Sequence, residues 1–279
     1  MNLGVHVSIS GSIDMAFDRA EEKGCDTFQI FTRNPRGWVF KDISYEAKKR
    51  FLKKSKEAHI APVIDHMPYL PNLASPKDDI YEKSISSLCA ELRRCKQLEI
   101  PYLITHLGSH LGEGKDKGFK RIVKGINFAL NEVENDVMLL LENTAGTRNS
   151  MGTYLEDIRH IIESIDEQAR MGVCFDTSHA FAAGYDLRTE TAVDETMADF
   201  DDVIGFKRLK IVHINDSRGD LCSCVDRHEH IGMGFIGEEG FKAILKHKRI
   251  KKLPLILETP VDERRDDYGN MAKVRELAS

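Results

Sequence analysis

No apolar run in the 279 residues is longer than five, the longest being 137–141, whereas a membrane-spanning helix needs about 20. The first residues also lack the basic stretch followed by an apolar segment that marks a secretory signal, so a cytoplasmic location and no membrane partner are expected. Cysteine is scarce, six in all and without framework-like spacing, which fits free thiols in a reducing compartment and not a disulfide scaffold. Excess positive charge is missing: the formal net charge is −5. That argues against broad electrostatic adhesion to nucleic acid, but not against a local cationic site or one made cationic by bound metal. Low-complexity tracts, Pro/Ser-rich linkers and short repeats are absent as well. Nothing marks a domain boundary, and one domain over 1–279 is expected. With 41% apolar and 30% charged residues, the chain has the composition of a globular protein with material for a core.

What the sequence does contain is an alternation of element types. Short runs rich in β-branched and other apolar residues occur at 3–8, 27–32, 62–66, 102–106, 137–142, 172–176, 210–214 and 254–258. Between them lie longer polar segments, such as 13–23, 44–58, 80–97 and 117–133, whose apolar residues recur at three and four as on one face of a helix. Eight strand-helix units in about 250 residues give the number that closes an α/β fold of the (β/α)8 TIM barrel type. A doubly wound open sheet is the alternative. Against it, no glycine-rich fingerprint follows the first strand, where Ser10-Gly11-Ser12 makes only a short turn.

Six consecutive apolar runs end in residues able to bind metal. The third closes on Asp65-His66, the fourth on Thr105-His106, the fifth on Glu142-Asn143, the sixth on Asp176 with His179 just beyond, the seventh on His213 and the eighth on Glu258. In a parallel barrel all these ends share one face, so side chains almost 200 residues apart would converge on one pocket. Carboxylates and imidazoles so crowded raise one another's protonation problems unless cations resolve them. Nitrogen and oxygen ligands without cysteine suit zinc first, then manganese or iron. After the seventh run, Asp226-Arg227-His228 has the alternate spacing that lets Asp226 and His228 point together and join His179 around a further metal.

Other residues carry blander expectations. His59, His110, His160, His230 and His247 are assigned to surface or supporting positions, and His6 is left open between the pocket and a structural role. Asp65, adjacent to His66, should point to the opposite side of its strand. Cys222 and Cys224 are expected to be an ordinary loop feature, and the charge clusters 48–50 and 262–267 to be solvated faces.

Assembled in order, these segments resemble the endonuclease IV family. The resemblance is carried by Gly4-Val5-His6-Val7-Ser8, Phe31-Thr32-Arg33-Asn34, Thr105-His106-Leu107-Gly108-Ser109-His110, Leu141-Glu142-Asn143-Thr144-Ala145-Gly146, the long stretch 172–186 with Phe175-Asp176-Thr177-Ser178-His179, then His213-Ile214-Asn215-Asp216, Val225-Asp226-Arg227-His228 and Leu257-Glu258-Thr259. It implies a (β/α)8 barrel with three Zn²⁺ per chain, Mn²⁺ being a possible substitute. The implied ligands are His66, His106 and Glu142 for one ion, Glu142, Asp176, His213 and Glu258 for a second, and His179, Asp226 and His228 for a third. It further implies a monomeric repair enzyme acting on double-stranded DNA that contains abasic sites. The phosphodiester 5′ to the lesion would be hydrolysed to a 3′-hydroxyl and a 5′-deoxyribose phosphate, with Glu142, Asp176 and Glu258 in catalytic positions. Arg36 and Trp38 after the second strand, and Tyr69 and Leu70 after the third, are the implied DNA-contacting residues. The chain departs from the family pattern at Gly232-Met233-Gly234-Phe235 and at Pro35 and Gly37 around Arg36, which bears on loop shape. Rival readings are a metal-dependent sugar isomerase or epimerase on the same barrel, and a non-catalytic binder of damaged DNA.

Overall fold

A computed structural model describes residues 1–39 and 41–279. Each of the eight predicted strands is present: β1 (Asn2–Val5), β2 (Phe28–Ile30), β3 (Val63–His66), β4 (Tyr102–Thr105), β5 (Met138–Glu142), β6 (Met171–Asp176), β7 (Leu209–His213) and β8 (Pro254–Leu257). All pair in parallel in the order β1-β8-β7-β6-β5-β4-β3-β2. The remaining seam, β1 to β2, is crossed by the parallel bridge His6↔Gln29 and by the Val7 amide donating to the Gln29 carbonyl at 2.8 Å. This is a (β/α)8 TIM barrel.

The strands read as apolar runs because both of their faces are covered. Ile64, Ile104, Leu140, Cys174, Ile211 and Ile256, one from each of β3 to β8, fill the barrel interior, while Leu103, Leu139, Leu141, Val173, Phe175, Val212, Leu255 and Leu257 pack outward under the helices. Full burial of each such side chain is worth roughly 1.5–3 kcal/mol. The predicted helical segments form α1 (Met15–Glu22), α2 (Tyr45–Glu57), α3 (Asp78–Leu98) and α4 (Lys115–Glu132). Ser44 caps α2 by accepting the Ala47 amide at 3.2 Å, which satisfies one of the donors left free at a helix start.

β1 and β2 are shorter than their apolar runs. Past Ile30 the chain turns into a buried polar network instead of continuing the ladder: Thr32 donates to Glu91, and the Arg33 guanidinium meets the same carboxylate at 2.5 Å. The largest irregularity follows β7, where Asp216–Ser217 pairs antiparallel with His228–Glu229. Asp216 organises the return of this loop by accepting the amides of Gly232, Gly234 and Ile236 at 2.9–3.0 Å. Gly234 has no freedom to be another residue, since a Cβ there would lie 2.4 Å from the Ser217 carbonyl oxygen. Among the described residues no helix is long and apolar enough to cross a membrane.

Candidate metal centre

Parallel strands deliver His66, Glu142, Asp176 and His213 at the C-terminal ends of β3, β5, β6 and β7, with His106 and Glu258 one residue beyond β4 and β8. A short helix, α5 (Thr177–Ala183), starts directly from β6. Asp176 caps it, accepting the His179 amide at 2.8 Å, and so turns His179 back over the barrel mouth.

Glu142, fully buried, is the hub. Its Oε2 lies 2.9 Å from His66 Nε2 and 3.6 Å from His106 Nε2, while its Oε1 lies 3.3 Å from His179 Nδ1 and 3.4 Å from His213 Nδ1. His213 Nδ1 also lies 3.2 Å from Glu258, and His228 Nε2 lies 3.5 Å from Asp176. Three metal-competent groups result: His66, His106 and Glu142; Glu142, Asp176, His213 and Glu258; and Asp176, His179 and His228. The first two gather the residues of the implied sets. In the third, Asp176 stands with His179 and His228, and Asp226 approaches His179 Nε2 from outside at 3.1 Å with its side chain half exposed.

Several ring nitrogens are held away from the cluster so that the other faces it. His66 Nδ1 donates to the Met67 carbonyl at 2.7 Å, His228 Nδ1 to the Glu258 carbonyl at 3.1 Å, and His213 Nε2 to the Gln29 side-chain oxygen at 2.8 Å. Fixing one nitrogen in this way selects the tautomer whose other nitrogen carries a free lone pair. Glu142 Oε1, His213 Nδ1 and His228 Nε2 are buried without any hydrogen-bond partner. An unpaired buried polar atom costs about 1–3 kcal/mol; one cation in the second group would satisfy Glu142 Oε1 and His213 Nδ1, and another in the third would satisfy His228 Nε2. The donors fit zinc, manganese or iron better than calcium or magnesium, which prefer all-oxygen sets.

Protonation follows the same crowding. Burial disfavours ionisation of Glu142 and Glu258, yet the surrounding histidines hold both well below the usual carboxylate range. Burial likewise opposes charge on His66, His179 and His213, but it is outweighed, at His66 and His179 by the carboxylates around them and at His213 by Cys174 together with Glu258 and Glu142, and all three are raised. At His106 burial wins and the pKa falls.

Residues 17–277 match the family described as a xylose isomerase-like TIM barrel. A curated relative from Methanoculleus marisnigri, named probable endonuclease 4, is 58% identical over 277 residues, covering 99% of this chain and 98% of the relative. The chain belongs to the endonuclease IV family. Among solved structures, endonuclease IV from Thermus thermophilus superposes with a TM-score of 0.89 at 31% identity, covering 99% of this chain and 98% of that one. A D-tagatose 3-epimerase-like protein shares the fold, with a TM-score of 0.75 at 20% identity over 99% of this chain and 97% of that one.

Around the metal-competent residues of this endonuclease IV family member lie residues that sequence reasoning overlooked. Gln29 donates to Glu258 Oε1 at 2.6 Å while accepting from His213, and lies 3.0 Å from His6 Nδ1. His6 therefore belongs to the pocket's wall, its ring 4.3 Å from that of Phe31. Asn215 donates to Asp176 Oδ2 at 2.7 Å and accepts the Glu258 amide at 2.8 Å, and Asn143 accepts the Asp176 amide at 2.7 Å. Asn143 lies directly after a strand-end residue and Asn215 two residues after another, a positional signal that was available; Gln29 lies inside an apolar run and gave none. Asp65 points away from the pocket as expected, accepting the Thr32 amide and the Cys95 thiol, both at 3.2 Å. His230 is buried between Asp262 and Asn270; Asp262 is exposed, as expected of a solvated face, and also pairs with this histidine and with Arg264. Cys222 and Cys224 are exposed free thiols.

The four DNA-contact candidates sit on loops beside the cluster. Arg36 and Tyr69 are exposed, Trp38 and Leu70 half-buried. Leu111, Tyr154, Met233, Phe235 and Val261 are also exposed on loops that follow barrel strands. Large apolar side chains concentrated on the functional face are unusual unless something covers them.

Proposed function

We infer that this chain is a DNA-repair endonuclease that hydrolyses the phosphodiester 5′ to an abasic site, leaving a 3′-hydroxyl and a 5′-deoxyribose phosphate, with three zinc ions as its cofactor. The observation that carries this reading is Glu142, one buried carboxylate offering an oxygen to each of two ligand groups, with Asp176 in turn shared with a third group. His66 and His106, with Glu142, would hold the first ion, Glu142, Asp176, His213 and Glu258 the second, and His179, His228 and Asp226 the third. When bound, divalent cations in such a site supply Lewis-acid activation of water and neutralise charge on the phosphate and leaving oxygens. No protein nucleophile is required.

The chain's own residues provide the rest. Glu142, its carboxylate immobilised by complete burial, would be shared between two ions and would hold them in a fixed relation. Glu258, held by Gln29 and its own amide bond to Asn215, and Asp176, held by Asn143 and Asn215, orient the attacking water and cannot relax toward it. Tyr69 and Leu70 fill the gap left by the missing base, and Arg36 and Trp38 grip the distorted strand. The acidic balance of the chain is no obstacle, since three divalent ions, when bound, would outweigh the four carboxylates Glu142, Asp176, Asp226 and Glu258 and would make the pocket attractive to phosphate.

Incision of a duplex oligonucleotide bearing one abasic site, with and without chelator, tests the reading. Cleavage 5′ to the site that vanishes on chelation and returns with zinc supports it; no cleavage by zinc-replete protein overturns it. Elemental analysis separates it from a sugar epimerase, for which a third ion has no use: about three zinc per chain is expected.

A further inference from the structure

The face of the barrel opposite the metal cluster carries a cavity of about 830 Å³, within the range of roughly 300–1,000 Å³ usual for small-molecule sites. It opens at the N-terminal ends of β5, β6 and β7, and its floor includes Met138, Met171 and Leu253. Its rim is cationic: Lys207, Lys210, Arg249 and Lys252 all line it, and none of the four has an ion-pair partner among the described residues. In a chain of net charge −5, these four cations outnumber the one carboxylate of the lining, Asp201, whose Oδ1 accepts the Phe206 amide at 2.8 Å, a local inversion of the overall field.

Three details indicate a built site and not a chance grouping. Leu209 pairs with Val173 and Ile211 with Cys174, so Lys210 is an extra residue bulged out of the β6–β7 ladder; bulges re-aim a side chain, and this one lines the cavity half-buried. Arg249 lies over the face of Phe206, 5.2 Å from its centroid, which gives one wall an aromatic surface with a cation beside it. Arg208 secures the rim by donating to the carbonyls of Gln168 and Met171 at 3.0 and 3.2 Å.

We propose that this cavity binds a nucleoside phosphate, with Lys210, Arg249 and Lys252 on the phosphates and the base on the apolar floor beside Phe206. A purely inorganic anion would leave the floor without a partner, and an uncharged aromatic would leave the cations unused. The probe is ADP, titrated calorimetrically into metal-loaded protein, with pyrophosphate and undamaged duplex DNA as comparison ligands. In the triple variant Lys210→Met/Arg249→Met/Lys252→Met, ADP affinity should fall by about tenfold or more, since charge-assisted contacts are lost, while zinc content and thermal midpoint stay at wild-type values. Equal affinity in both proteins would assign ADP binding to the metal centre and overturn the proposal. Pyrophosphate binding as tightly as ADP would remove the role of the floor, and displacement of ADP by undamaged duplex would make the rim a nucleic-acid surface; either result refutes a nucleoside phosphate site. Should the triple variant fail to fold, Lys210→Met alone carries the same comparison.

Discussion

Replacing Glu142 by glutamine changes almost no atoms and removes the charge on which the cluster turns. Four imidazole nitrogens lie 2.9–3.6 Å from its two oxygens. At such a distance and an effective dielectric near 20, a unit charge pair interacts by roughly 5 kcal/mol before desolvation is subtracted. Loss of one member of a buried charged set costs about 3–5 kcal/mol once desolvation is included. If the same deficit applies where cations replace protons, each 1.36 kcal/mol is a factor of ten in rate, so incision should fall by roughly a thousandfold. Glutamine preserves shape, so the far-UV circular dichroism spectrum should match wild type. The assay is single-turnover cleavage of an end-labelled abasic duplex, run beside a metal count on the same preparation. A variant retaining more than about a tenth of wild-type activity with full metal content would show that Glu142 is not the bridge, because loss of a bridging ligand should cost orders of magnitude.

Other expectations follow from neighbouring geometry. Asp226→Ala/His228→Ala should lose one ion per chain, whereas Asp226→Ala alone, which leaves Asp176, His179 and His228 grouped, should weaken that ion's retention without abolishing it; an unchanged zinc count in the double variant refutes the placement. Tyr69→Ala/Leu70→Ala should reduce preference for an abasic over an intact duplex at fixed salt, by about 1–3 kcal/mol for each lost stacking or wedge contact, with metal content unchanged; undiminished preference would leave these residues to loop packing. In metal-free protein the raised pKa values of His66, His179 and His213 contribute stability that is present below the ordinary imidazole value of 6.5 and lost as pH rises through the folded values. The depressed Glu142 and Glu258 contribute above the ordinary value of 4.5 and lose it as pH falls through theirs. Thermal melts of stripped protein should therefore fall above about pH 6.5 while those of zinc-reloaded protein rise, since ligation needs neutral imidazole; parallel curves would contradict this.

The barrel was legible because strands buried on both faces must be apolar without alternation, and because their ends must share one rim. Knowing only that β3 to β8 end in His or carboxylate, one could place His66, Glu142, Asp176 and His213 on a common face. The division of the metal-competent residues into groups was not legible from spacing, since it depends on which oxygen of a shared carboxylate faces which ring. Asp176 illustrates this: as the cap of α5 it is turned toward both His179 and Asn215, a consequence of the strand-to-helix junction and not of spacing. Gln29 was hidden for a different reason. An amide carries no compositional signal, and its importance comes from touching His213, Glu258 and His6 at once, residues that lie at opposite ends of the chain. The cationic rim below the barrel escaped because Lys207 and Lys210 are separated from Arg249 and Lys252 by about 40 residues, and net charge averages such groupings away.

How the centre is prepared for its ions can be argued from bonds that contain no ion. The Met67 and Glu258 carbonyls and the Gln29 side chain fix the tautomers of His66, His228 and His213, and all three partners belong to the barrel strands or the residues just beyond them. Ring orientation is thus set by the same ladders that set the fold, and little conformational entropy remains to be lost when ligands close on a cation. The cost appears elsewhere, in three buried polar atoms without partners and in carboxylates that remain ionised inside the protein. Protons on the histidines offset part of that cost when metal is absent, and they must leave when metal enters. With metal bound as proposed, metal affinity, proton affinity and folding stability would be one coupled equilibrium at this site, and a reversal of pH dependence between stripped and loaded protein would be its direct signature.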